Sequence, residues 1–148
     1  MMLILEQTLA AAIGTVAFSL LFGVPKKYYL YCGLIGAAGW LLYSLLTVYA
    51  ALTATEATFF ATVLVIVLSR FAAVLEKCPA TVFLISGIFP LVPGAGIYWT
   101  SYYLVMGEMS AAMASGFAAV KAAIAIVLGI VAVFELPYRV FRIGKHNH

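Results

Sequence analysis

Residues 78–107 read CPATVFLISGIFPLVPGAGIYWTSYYLVMG, a run of 30 residues without an aspartate, glutamate, lysine or arginine. A bilayer crossing needs about 20 mostly apolar residues, so this stretch is long enough to cross a membrane. Near its middle stands Phe89-Pro90-Leu91-Val92-Pro93-Gly94-Ala95-Gly96-Ile97-Tyr98. Each proline withholds a backbone donor, and each glycine opens dihedrals that a helix does not use. The segment is therefore one broken helix or two half-helices.

The rest of the chain agrees. Tyr28 to Thr55 is a second run, of 28 residues, without these charged groups. Of the 148 residues, 66% are hydrophobic and 9% charged, against roughly 45–50% and about 25% in soluble domains. So few charged side chains cannot cover a soluble domain of this size. That excludes a soluble globular enzyme, and with it a disordered, collagenous or disulfide-built chain. Continuous apolar runs rich in Ala, Leu and Gly speak against the alternation that a membrane β-barrel needs.

The reading is an all-α polytopic membrane protein, one transmembrane domain over residues 1–148, with five helices at about 3–22, 28–51, 57–75, 80–106 and 111–134. The first segment has no basic n-region before it and is read as a span rather than a signal peptide. Gly23-Val24-Pro25-Lys26-Lys27 separates spans one and two, and Glu76-Lys77-Cys78-Pro79 closes span three. Thr53 or Thr55 is placed to cap span three and Ser110 to cap span five. With five crossings, Lys26, Lys27, Arg70, Lys77, Arg139, Arg142 and Lys145 all fall on one side. The positive-inside rule puts that side, and the C-terminus, in the cytoplasm and the N-terminus outside. Tyr28, Tyr29, Tyr31, Tyr138 and Phe141 then lie at the inner interface, and Tyr49, Trp99, Tyr102 and Tyr103 towards the outer one; Trp40 is too deep for such a belt and is read as facing protein.

Broken helices are a common way for transporters to hold small polar solutes, because unwound backbone and the start of the second half-helix offer free polar groups. Pro90, Pro93, Gly94, Gly96 and Tyr98 are candidates for substrate binding on that ground. The plainer alternative is a structural kink relieved by neighbouring helices. Lys121 is a further candidate, about ten residues into span five, where a lysine costs roughly 3 kcal/mol on insertion scales. It would hold a carboxylate or carry a proton, or else pair with another chain or snorkel along its helix. No acid stands at matching depth. Arg70 is read as snorkelling or pairing with headgroups, and Glu6 as a solvated terminus. Gly33, Gly36 and Gly39, and Ala114, Ala118 and Ala122, form small-residue stripes suited to helix packing. Cys32 and Cys78 are read as small packers.

No enzymatic constellation is visible. The chain has no aspartate, and its histidines, His146 and His148, stand in the polar tail. There is no CxxC, HExxH or Walker-type loop, so the chain alone is no ATPase and no enzyme is expected. No metal or cofactor is called for, and scattered lysines and arginines make no nucleic-acid surface.

At Phe89-Pro90-Leu91-Val92-Pro93-Gly94, followed by Tyr98, the sequence resembles the threonine/serine exporter (ThrE) family. More narrowly it is similar to the small YjjB-type membrane component, which corresponds to the C-terminal membrane half of fused members. The Phe22-Gly23-Val24-Pro25 turn and the five-span layout fit as well. The resemblance implies a multi-pass protein of the bacterial inner membrane. It implies one component of a two-subunit secondary exporter, drawing on the proton motive force. The substrates would be threonine and serine, or a small carboxylate such as succinate. It also implies a YjjP-type membrane protein as partner, carrying the other half of the transporter; a homo-oligomer is a further assembly to consider. Of the candidate residues, the resemblance covers Pro90, Pro93, Gly94 and Tyr98; Lys121 rests on its depth alone. The rival reading is a non-transporting structural or stabilising subunit of a larger membrane complex.

Overall fold

Helix α1 (Met2–Leu21) ends where Gly23 takes φ +68°. There the Val24 N–H reaches back to the Ser19 carbonyl at 3.0 Å and the Gly23 N–H to Leu20 at 3.2 Å, the paired closure of a Schellman cap. A 3₁₀ turn, Lys26–Tyr28, leads into α2 (Tyr29–Val48), followed by α3 (Ala54–Glu76), α4 (Thr81–Gly87), a second 3₁₀ turn (Phe89–Leu91), α5 (Gly94–Val105) and α6 (Met109–Phe134). These elements belong to a computed structural model that describes residues 2–136. The tail residues Arg139, Arg142, Lys145, His146 and His148 and the aromatics Tyr138 and Phe141 lie outside the described residues.

The chain is an all-α polytopic membrane protein. Among the described residues four helices are long and apolar enough to cross a bilayer, or five spans result if Thr81–Leu91 and Gly94–Val105, which meet at 47°, are taken as one. Their outward faces are largely apolar, with Leu5, Leu9, Ile13, Leu34, Ile124 and Leu128 all exposed, as lipid contact requires.

Close approach at glycine sets the packing. A Cβ at Gly33 would stand 2.9 Å from Val16 Cγ2, and one at Gly36 would collide with Thr15, so α2 lies tightly on α1. Gly39 points elsewhere: its Cβ would meet Val65 of α3 at 2.5 Å. The expected single glycine stripe on α2 is thus divided between two neighbours, because six residues turn a helix well away from its starting face. The core beneath is built from Cys32, Ile35, Val65, Ile66 and Phe83, with Tyr28 set edge-on to Phe83 at 5.2 Å. Cys32 is fully buried and both cysteines are free, in keeping with their reading as packers. Trp40 is half-buried and packs against this core, and so faces protein.

Helix α3 starts on a capping box. Thr53 Oγ1 accepts from the Glu56 N–H at 3.4 Å, and Glu56 Oε2 accepts from the Thr53 N–H at 2.9 Å, so two otherwise free amides are satisfied. Thr53, rather than Thr55, is the cap. Replacing Thr53 with alanine is expected to cost about 1 kcal/mol, measured as a lowered unfolding midpoint of the purified protein. Ser110 is not a cap: α6 already begins at Met109, with Glu108 before it and no side-chain cap bond.

Candidate functional site

Two regions hold the candidate residues, and α6 connects them. Its C-terminal half runs beside α3, where a Cβ at Gly129 would stand 2.8 Å from Thr62 Cγ2. Its N-terminal half runs beside α5, where a Cβ at Gly96 would stand 3.0 Å from that of Ala119 and one at Gly116 would stand 3.3 Å from Thr100 Cγ2. Thr62 lies 8 residues beyond the first residue of α3, and Gly129 lies 20 beyond that of α6. Helix α6 therefore begins roughly 12 residues, or about 18 Å, before α3 does. The small residues buried on α6 are Ala112, Ala119, Ala125 and Gly129. Ala114 and Ala118 are exposed and Ala122 is half-buried, so the expected alanine stripe is replaced by the row that Gly96 and Thr62 select.

The first region is the break. After the 3₁₀ turn, Val92 is extended (φ −62°, ψ 130°), Pro93 follows with φ −75° and ψ 51°, and α5 starts at Gly94. The Gly94 N–H donates across Pro93 to the Val92 carbonyl at 2.7 Å, an inverse γ-turn. No side chain caps α5. The next amides, Ala95 and Gly96, stand in its first turn, where a helix offers no acceptor of its own. Around Gly94 there is open space, with no atom within 4 Å of where a Cβ would be. Pro90 is half-buried beside Phe89, which stacks on Phe18 of α1. Tyr98 is 62% exposed and stands edge-on to Trp99. Gly96 serves the α5–α6 contact.

The second region is a groove between α3 and α6, with a volume of about 460 Å³. Its walls are Thr55, Glu56, Phe59 and Phe60 of α3 and Lys121, Ile124, Ala125 and Leu128 of α6. Lys121 and Ala119 are two residues apart, roughly 200° around the helix, so the lysine faces away from the contact with Gly96. The six candidates are thus not one cluster: Pro90, Pro93, Gly94, Gly96 and Tyr98 lie at the break and the start of α5, and Lys121 lies in the groove.

The groove corrects one expectation. Lys121 does share its surroundings with an acid, Glu56, because the stagger of α6 against α3 brings the middle of one helix to the beginning of the other. The Thr53-x-x-Glu56 spacing signals the cap, but no sequence signal gives the stagger. The two charges form no ion pair within 4 Å. Glu56 Oε2 is held by Thr53, accepting from its Oγ1 at 2.8 Å as well as from its N–H, and Lys121 Nζ lies 5.4 Å from the Phe117 ring centroid.

Arg70 is a second correction. It does not snorkel: it is 2% exposed, and Nη1 donates to the Val133 carbonyl at 2.6 Å and to that of Leu136 at 2.9 Å. The guanidinium also lies 5.1 Å from the Phe134 ring centroid. A helix leaves its last carbonyls without intrahelical donors, and those of α6 fall beside α3, so the arginine turns inward to them.

Among the described residues no group of His, Cys, Asp and Glu is placed to hold a metal ion. A family model described as Threonine/Serine exporter, ThrE, matches residues 7–135. An uncharacterized protein of Haemophilus influenzae is 33% identical over 98 residues, which cover 66% of this chain and 33% of that relative. The match thus spans about a third of the relative's length. No solved structure matches.

Proposed function

This chain belongs to the threonine/serine exporter family, and we propose that it is one component of a two-subunit secondary exporter of small amino acids or small carboxylates. Its apolar helices and its family make it a multi-pass protein of the inner membrane. In this proposal the bent pair α4–α5 is a single broken crossing and the N-terminus lies outside. A YjjP-type membrane protein supplies the other half, and the proton motive force drives export.

The observation that carries the reading is the uncapped start of α5. The break leaves the Ala95 and Gly96 amides, at the positive end of a 12-residue helix, facing a place where Gly94 leaves room for a ligand to approach the backbone. Helix starts of this kind attract anionic groups, and discontinuous helices are where secondary transporters hold substrate. Pro90 and Pro93 maintain the break, and Tyr98 lies one turn along α5. Lys121 supplies a cationic group for a carboxylate in the neighbouring groove. Alternating exposure arises from rocking of these helices against the partner's.

The test is efflux of L-threonine and of succinate from vesicles carrying both components, comparing Gly94→Leu and Lys121→Met with the parent. A Cβ at Gly94 would meet nothing within 4 Å, so the leucine fills approach space without disturbing packing. Each variant is expected to lose about tenfold or more in efflux rate at unchanged protein level, a loss of roughly 1.4 kcal/mol of productive interaction. Parental rates in both would defeat the assignment. The rival reading, a stabilising subunit without transport, draws on Gly96, whose contact with Ala119 is pure packing. It expects no efflux from the parent pair and loss of the partner's abundance when this chain is removed.

A further inference from the structure

We propose that the groove between α3 and α6 is a zwitterion site, in which Lys121 takes the carboxylate and Glu56 the ammonium of a small α-amino acid. Glu56 is then the residue that favours zwitterions over dicarboxylates. The inference rests on the export reading for its substrates and adds to it a site separate from the α5 start.

The argument begins with charge. Glu56 and Lys121 are the charged side chains in the walls of the groove, and they are of opposite sign. The remaining walls are mainly Phe59, Phe60, Ile124 and Leu128. Both side chains are exposed at the groove, and opposite charges beside apolar walls attract more strongly than in open water. The simplest outcome would be a direct ion pair, and the two side chains do not form one. The capping box fastens the Glu56 carboxylate to Thr53 at the start of α3. The Lys121 ammonium is turned towards Phe117, one turn back along α6. Both line the same groove of about 460 Å³, a volume large enough for a small amino acid. A molecule carrying both an ammonium and a carboxylate completes both charges at once. A dicarboxylate satisfies Lys121 and sets its second carboxylate against Glu56, a repulsion that discriminates between substrates.

The capping box also makes the experiment clean. Glutamine at position 56 retains an acceptor for Thr53, so Glu56→Gln removes the charge and keeps the start of α3. The purified chain in nanodiscs is titrated with L-threonine and with succinate, as parent, Glu56→Gln and Lys121→Met. The expected result is that the parent binds L-threonine more tightly than succinate. Both variants should bind L-threonine roughly tenfold or more weakly, as for loss of one member of a charge-paired contact. Glu56→Gln should in addition raise the relative affinity for succinate, whereas Lys121→Met should weaken both. Glu108→Gln, outside the groove, should leave both affinities at the parental value. No L-threonine binding by the parent, or a Glu56→Gln variant with parental preference, overturns the proposal. Efflux from vesicles carrying both components is read separately. Binding without efflux counts against the exporter reading and leaves the zwitterion site standing; efflux with parental selectivity in Glu56→Gln removes the site and leaves the exporter.

Discussion

Replacing Arg70 with methionine is expected to destabilise the protein by about 3 kcal/mol, read as a lower unfolding midpoint in detergent. Arg70 is buried, and its Nη1 serves the Val133 and Leu136 carbonyls, at 2.6 and 2.9 Å. Hydrogen bonds from a charged donor contribute about 1.5–3 kcal/mol each, and an acceptor left dry adds its own desolvation cost. Part of that loss is offset because the methionine also removes a charge from the interior. The damage should be local at first, with faster amide exchange over the last turn of α6. Lysine at position 70 should fall between the two, since it keeps the charge but offers a shorter, more strongly hydrated ammonium in place of the guanidinium. An unchanged midpoint in Arg70→Met would show that the guanidinium does not hold α6 to α3.

The second large effect is expected at Gly129. A Cβ there would stand 2.8 Å from Thr62 Cγ2 and 3.0 Å from Thr62 Cβ, with the Phe59 carbonyl oxygen at 3.3 Å. A β-branched side chain on one side and main chain on the other leave little to move. Gly129→Leu should therefore cost at the upper end of the 1–3 kcal/mol typical of overpacking and push α6 off α3. The smaller change Gly129→Ala should be relieved in part by Thr62→Ala, which removes the nearest atom. In a double-mutant cycle the pair should be non-additive by about 0.5–1 kcal/mol or more. Additive effects would mean that the two helices do not meet at this point.

The same residues show what could be read early and what could not. The helices were legible because a bilayer imposes one length and one chemistry on every crossing, and the apolar runs of this chain have few other uses. The irregular stretch before Gly94, where α5 starts, was legible because proline acts on its own backbone. The cap of α3 was legible only as Thr53 or Thr55; the Thr53–Glu56 box, complete within four residues, decides for Thr53. The inward turn of Arg70 was not legible, because its partners stand more than 60 residues further along the chain. The small-residue rows were misassigned for a related reason. Several four-residue rows run along α6, and only the neighbours decide which of them is covered.

What the sequence determined unaided is everything that depends on a residue and its immediate neighbours: apolar helices of membrane length, and the Pro90 and Pro93 pair that stands between α4 and α5. What the tertiary structure decided is the stagger and rotation of one helix against another. A shift of about 18 Å along α6 brings Lys121 to Glu56, and a turn of roughly 200° carries it away from Gly96. Neither quantity is written in any local stretch. Both follow from glycines and threonines on separate helices fitting together, and that fit is a property of the packed pair.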